Sequence, residues 1–129
     1  MATLDTVIDY AGRLPTPECE IFIAHMGGAT NRVEAEATAY PHRDTEFVLN
    51  VHTRWGDPDE DEICVNWARQ FFSATESYAN GGVYVNFMSD DEAERVDGAY
   101  GANFDRLASL KASYDPGNLF RVNQNILPG

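Results

Sequence analysis

Val83-Tyr84-Val85-Asn86-Phe87, preceded by Gly81-Gly82 and followed by Ser89-Asp90-Asp91, decides how this chain is read. Two valines and two aromatics in five residues have the composition of a β-strand. The glycine pair opens the stretch and a helix-capping serine closes it, so it reads as a short strand between two helices. On such a strand Tyr84 and Asn86 lie two residues apart and share a face.

Three further strands are predicted upstream. Residues 19–25 are apolar in both alternating sets, which suits a central strand covered on two sides. Residues 31–40 alternate Val33, Ala35, Ala37 and Ala39 with Arg32, Glu34, Glu36 and Thr38, a strand with one polar face. Residues 46–54 place Phe47, Leu49 and Val51 on one face and Val48, Asn50 and His52 on the other. The second face either lines a site or meets solvent.

Helical spacing predicts the remaining elements. Leu4, Val7, Ile8 and Ala11 mark a helix over 4–13, with Thr3 available as its N-cap. Ile63, Trp67, Phe71, Ala74 and Tyr78 mark a long helix over 60–78. Ser89 and Glu92 form a capping-box pattern for a short helix over 90–96. Phe104, Leu107, Leu110 and Tyr114 mark a last helix over 103–113. Asp115-Pro116-Gly117-Asn118 then stops the chain in a turn, and residues 119–129 read as an extended tail. Hairpin-length links imply an α+β fold, an antiparallel sheet of about four strands backed by helices on one side. The length of 129 residues suits a single domain over 1–129.

Charge narrows the partners. The chain has 21 acidic and nine basic residues, a net charge of −12, and Lys111 is its one lysine. Nucleic acid and anionic membrane surfaces are poor partners for such a chain. No apolar run approaches the roughly 20 residues of a membrane span. The N-terminus lacks a signal-peptide pattern, so a cytoplasmic location is expected. Cys19 and Cys64 sit in apolar contexts and read as buried free thiols. His25, His42 and His52 have no metal-ligand spacing, so no metal site is expected.

Several motifs occur in an order that resembles one family. They are Gly27-Gly28-Ala29, Tyr40-Pro41-His42-Arg43, Trp55, Tyr84-Val85-Asn86, Tyr100-Gly101-Ala102-Asn103, Arg106-Leu107 and Tyr114-Asp115-Pro116-Gly117-Asn118-Leu119-Phe120. Asn123-Gln124-Asn125-Ile126 and Leu127-Pro128 complete the set. Together they resemble the C-terminal portion of the berberine-bridge-enzyme-like FAD-linked oxidases. That portion carries part of the substrate domain and a segment that returns to the flavin domain. The flavin-binding domain itself has no counterpart in this sequence.

The resemblance implies FAD as cofactor, supplied by a domain or subunit other than this chain. It implies that Tyr84 is the base that removes a substrate hydroxyl proton while hydride passes to the flavin. Asn86, Asn103 and Tyr100 become candidates for the flavin-facing wall. Val48 and Asn50 become candidates for lining the substrate. Relatives place a glutamine or glutamate near Asn50; asparagine cannot act as a base, and His52 is the titratable group on the same face. Two other readings stay open: a stand-alone small-molecule-binding module, and a homo-oligomeric scaffold that covers its own exposed sheet.

Overall fold

A computed structural model of the chain describes residues 2–129, and the side chains of all of these except Ala2, Asp90 and Asp91. The chain divides into two compact units, Met1–His25 with Phe47–Asn80, and Met26–Glu46 with Gly81–Gly129. Among the described residues there are helices and one two-stranded antiparallel sheet, so the α+β class holds but the four-stranded sheet does not. No helix among them is long and apolar enough to cross a membrane.

The first unit contains helix α1 (Ala2–Ala11), strands β1 (Glu20–His25) and β2 (Phe47–His52), and helix α2 (Asp61–Thr75). β1 and β2 pair antiparallel, with Glu20 opposite His52, Phe22 opposite Asn50 and Ala24 opposite Val48. Ile21, Leu49 and Val51 turn toward a core of Tyr10, Cys19, Cys64, Trp67 and Phe71. The Trp67 and Phe71 rings lie nearly parallel at 6.1 Å, and Tyr10 meets Phe71 edge-on at 5.3 Å. Both thiols are free and buried, as expected for apolar contexts.

Both helices of this unit arise where predicted, but their inner faces are rotated from the predicted stripes. In α1 it is Thr3, Thr6, Val7 and Tyr10 that turn inward, at helical spacing, and Thr3 lies inside the helix rather than capping it. Leu4 and Ile8 remain 60% and 68% exposed. In α2 the buried stripe is Cys64, Trp67, Phe71 and Thr75, and Ile63 is left exposed. Asp57 starts the entry to α2 by accepting from the Asp59 N–H at 3.0 Å, with Pro58 at the first position of the turn. Asp61 and Glu62 place negative charge in the first turn, where the helix dipole favours it.

β1 is not a central strand. Its one partner is β2, and Phe22 and Ile23 on its two faces remain 44% and 47% exposed. The predicted strand over 31–40 is also absent. A 3-10 turn at Thr30–Arg32 leads into bends, and Ala37 N–H closes on Glu34 O at 3.1 Å. Three alanines with no bulky partner give little side-chain packing to hold a strand. The backbone finds side-chain donors instead. Asn103 Nδ2 donates to Ala35 O at 2.8 Å and Thr38 O at 3.0 Å, and Arg106 donates to Glu36 O at 3.4 Å.

The opening stretch is likewise a turn. Val85–Phe87 forms a 3-10 turn in which Phe87 N–H donates to Tyr84 O at 2.8 Å. The Ser89–Glu92 capping box is present, and it opens a 3-10 segment, Asp90–Arg95, rather than α-helix. Helix α3 (Val96–Tyr100) follows, burying Val96 and Ala99, and α4 (Phe104–Tyr114) completes the second unit's helices. Gly101 joins them at φ +48°, a left-handed conformation that a side chain resists. After α4, Asp115 accepts from Leu119 N–H at 2.8 Å, Phe120 N–H at 3.0 Å and Lys111 Nζ at 2.5 Å. Lys111 also donates to Phe120 O. This knot folds the start of the tail back on the helix that precedes it.

Three consequences are measurable. Phe71→Ala removes a side chain that is 1% exposed, and equilibrium denaturation should show a loss of about 3–5 kcal/mol. Gly101→Ala places its Cβ only in ordinary contact with Pro41, at 3.6 Å, so its cost comes from backbone strain, about 1–3 kcal/mol by the same measurement. Asp115 is held below the ordinary carboxylate value, first by the Lys111 hydrogen bond and further by the N–H groups of Leu119 and Phe120, against a burial that raises it. Its contribution is therefore complete above the unfolded value of about 3.9 and is lost as pH falls through the lower folded value. An acid denaturation series of Asp115→Asn should show that part of the acid limb flattened.

Candidate functional site

The predicted site residues fall into two groups, one in each unit. In the first unit, Val48, Asn50 and His52 alternate with the core-facing Leu49 and Val51, so they occupy the sheet face turned away from that unit's core. All three are half-buried. Asn50 Nδ2 donates to His52 Nε2 at 2.6 Å, and His52 Nδ1 meets Glu20 Oε1 at 2.9 Å. Arg54 Nη2 stands 3.9 Å from the same Glu20 oxygen. A line of polar groups thus crosses both strands of the sheet. Glu20 was not among the predicted residues, because only the register that sets it opposite His52 reveals it.

In the second unit Tyr84 and Asn86 meet, as their spacing predicted, but through a turn rather than along a strand face. Asn86 Nδ2 donates to Tyr84 Oη at 2.8 Å. With that donor on the phenol oxygen, the hydroxyl hydrogen points away from Asn86 and is available to another acceptor. The Tyr84 ring is held edge-on by Phe87 at 4.9 Å and by Tyr40 at 5.9 Å. Tyr40 lies under the Arg43 guanidinium at 4.8 Å and edge-on to His42 at 5.5 Å. Burial pushes the Tyr40 phenol above its ordinary value, with Arg43 opposing the shift. Tyr40 therefore stays neutral and serves as packing for Tyr84.

Arg43 fixes this corner. It donates to Tyr40 O at 3.1 Å, Thr30 O at 2.9 Å and Thr38 Oγ1 at 2.6 Å. Asn103 is 6% exposed and holds the 31–40 segment through the two carbonyls described above, so its amide hydrogens serve the scaffold. Tyr100 ends α3, half-buried, immediately before the strained Gly101. The Tyr40-Pro41-His42-Arg43 motif was visible in the sequence, but its contact with Tyr84 bridges residues far apart in the chain.

Comparison with known proteins places this geometry. Residues 83–127 match the family described as berberine and berberine like. Over 125 residues the chain is 30% identical to the uncharacterized FAD-linked oxidoreductase YgaK of Bacillus subtilis, covering 97% of this chain and 28% of that protein. Over 104 residues it is 43% identical to the FAD-linked oxidoreductase OXR1 of Pyricularia oryzae, covering 74% of this chain and 20% of that one. The solved glycopeptide hexose oxidase DBV29, complexed with teicoplanin, superposes with a TM-score of 0.84 at 25% identity, over 98% of this chain and 29% of its own. The chain thus spans less than a third of the relatives it matches. With its motifs in family order and Tyr84 and Asn86 inside the berberine-like segment over 83–127, the chain matches the C-terminal portion of the berberine-bridge-enzyme-like FAD-linked oxidoreductases.

Proposed function

We propose that this chain is the substrate-wall and flavin-capping part of an FAD-dependent oxidoreductase that oxidises a hydroxyl group. The observation that carries the reading is the Asn86–Tyr84 hydrogen bond inside the family-matched segment. It fixes a phenol oxygen with its hydrogen directed outward, on a ring clamped by Phe87 and Tyr40. A phenol so held is placed to exchange a proton with a substrate hydroxyl. The name of the hexose oxidase relative points to a hydroxyl-bearing substrate for that enzyme, and the same substrate class is proposed here.

The residues present fit a wall over the flavin ring and not a grip on the rest of FAD. A diphosphate needs cationic or N–H-rich surroundings. Here Lys111 is tied to Asp115 and Phe120, Arg43 is tied to internal acceptors, and the net charge is −12. FAD is therefore held by a separate domain or subunit. When bound, the flavin supplies hydride acceptance. This chain orients the hydroxyl and walls the reacting groups from water, and Tyr84 Oη takes the hydroxyl proton once the phenol has released its own to solvent. Tyr100 and Asn86 are its proposed flavin-side residues, with Asn103 acting behind them by holding the loop. Val48, Asn50 and His52 are the proposed substrate-lining and acid–base residues of the sheet face.

A covering partner also accounts for the apolar surface of the second unit. Leu119, Phe120 and Val122 are 77%, 73% and 84% exposed, and the last two line a groove of about 390 Å³ with Leu107, Leu110, Tyr114 and Ile126. In the absence of that partner, self-association is the expected way to cover them.

Two measurements test this reading. The purified chain should be colourless and redox-inactive, and co-expression with an FAD-bearing partner should give a complex with a visible flavin spectrum. A colourless chain that never enters a flavin complex contradicts the proposal. In the active assembly, Tyr84→Phe should lower kcat by about a hundred- to ten-thousand-fold, as expected for loss of a general base, with the flavin spectrum retained.

A further inference from the structure

The outer face of the sheet carries one arrangement that the family resemblance does not assign. His52 has a defined partner at each ring nitrogen. Asn50 Nδ2, which is only a donor, lies 2.6 Å from Nε2, so Nε2 must offer its lone pair. Glu20 Oε1, which as a carboxylate is only an acceptor, lies 2.9 Å from Nδ1, so Nδ1 must carry the hydrogen. Together they select one neutral tautomer. The antiparallel register makes the selection reliable, because it sets Glu20 directly opposite His52 on the neighbouring strand. Arg54, two residues beyond the end of β2, stands 3.9 Å from the same Glu20 oxygen.

We propose that Glu20 is a positioning residue that fixes His52 as the Nδ1–H tautomer, so that Nε2 presents an acceptor to a hydroxyl-bearing ligand. This deepens the reading of the outer sheet face as a substrate wall and rests on it. The Asn50 amide occupies Nε2 in the ligand-free chain and yields it when a hydroxyl donates there. Phe22 lies opposite Asn50 and adds an aromatic surface beside the acceptor, suited to the body of a ring-shaped ligand.

The test needs only the chain itself. Nitrogen-15 NMR of the histidine ring distinguishes the two tautomers directly, at about pH 8.5, where an ordinary histidine is neutral. The wild-type spectrum should show His52 predominantly as Nδ1–H. Glu20→Ala removes the acceptor and should move the population toward Nε2–H, whereas Glu20→Gln keeps a carbonyl oxygen in place and should preserve the wild-type pattern. A backbone amide spectrum unchanged in both variants separates this effect from unfolding, which is expected because the Glu20 side chain is 54% exposed. A wild-type His52 that is mainly Nε2–H overturns the assignment, and so does a tautomer indifferent to Glu20→Ala. Neither result bears on the flavin reading, which is decided by the spectrum of the complex.

Discussion

A backbone carbonyl outside regular structure still needs a donor, and in the irregular stretch before Glu46 in the second unit side chains supply several of them. Asn103 serves Ala35 and Thr38, Arg43 serves Thr30 and Tyr40, Arg106 serves Glu36, and Asn31 serves Thr45. At the other end Asp115 serves the N–H groups of Leu119 and Phe120. This is how the unit keeps irregular backbone folded without a sheet. It also fixes Tyr84, because Tyr40, which packs on its ring, is anchored through Arg43 to the same network. Removing Asn103 or Arg43 takes the donor from two carbonyls at once, a heavier cost than losing one ordinary contact.

The same constraint explains what was legible in the sequence. Helices were, because their hydrogen bonds are internal and their apolar spacing is local; α2 and α4 start and end within a few residues of expectation. Strands depend on partners far away in the chain. Residues 31–40 and 83–87 had suitable alternation or composition, but neither has a neighbouring strand among the described residues, and each closes on itself through i→i+3 bonds. The inner faces of α1 and α2 were misjudged for a related reason. Cys64 and Thr75 are small or polar, yet the core accommodates them, while Leu4, Ile8 and Ile63 are left exposed.

The site was legible in part. Tyr84 with Asn86, and Asn50 with His52, were chosen for sharing a strand face, and each pair is joined by a hydrogen bond. Asn50 and His52 do share a face of β2. For Tyr84 and Asn86 the pairing survives a change of backbone, because a tight turn also brings residues i and i+2 within reach of each other. Glu20 gives no signal in the sequence and Tyr40 shows only as part of its motif, because register and tertiary packing, not spacing, bring them to His52 and Tyr84.

Charge and exposed apolar area both bear on the proposed covering partner. An acidic excess of this kind generally favours solubility and opposes contact with anionic surfaces. It does not cover Leu4 and Ile8 on α1, or Leu119, Phe120 and Val122 after α4. Burying such residues yields about 25 cal/mol for each Å² removed from water, enough to make a covering domain a large contributor to their stability. Lys111 shows how the sequence prepares that surface. Its ammonium is drawn back to Asp115 and to the Phe120 carbonyl, so the one lysine of the chain secures the base of the tail from within. The apolar side chains beside it are thereby presented on a tethered backbone, and less ordering entropy would oppose their burial by the proposed partner.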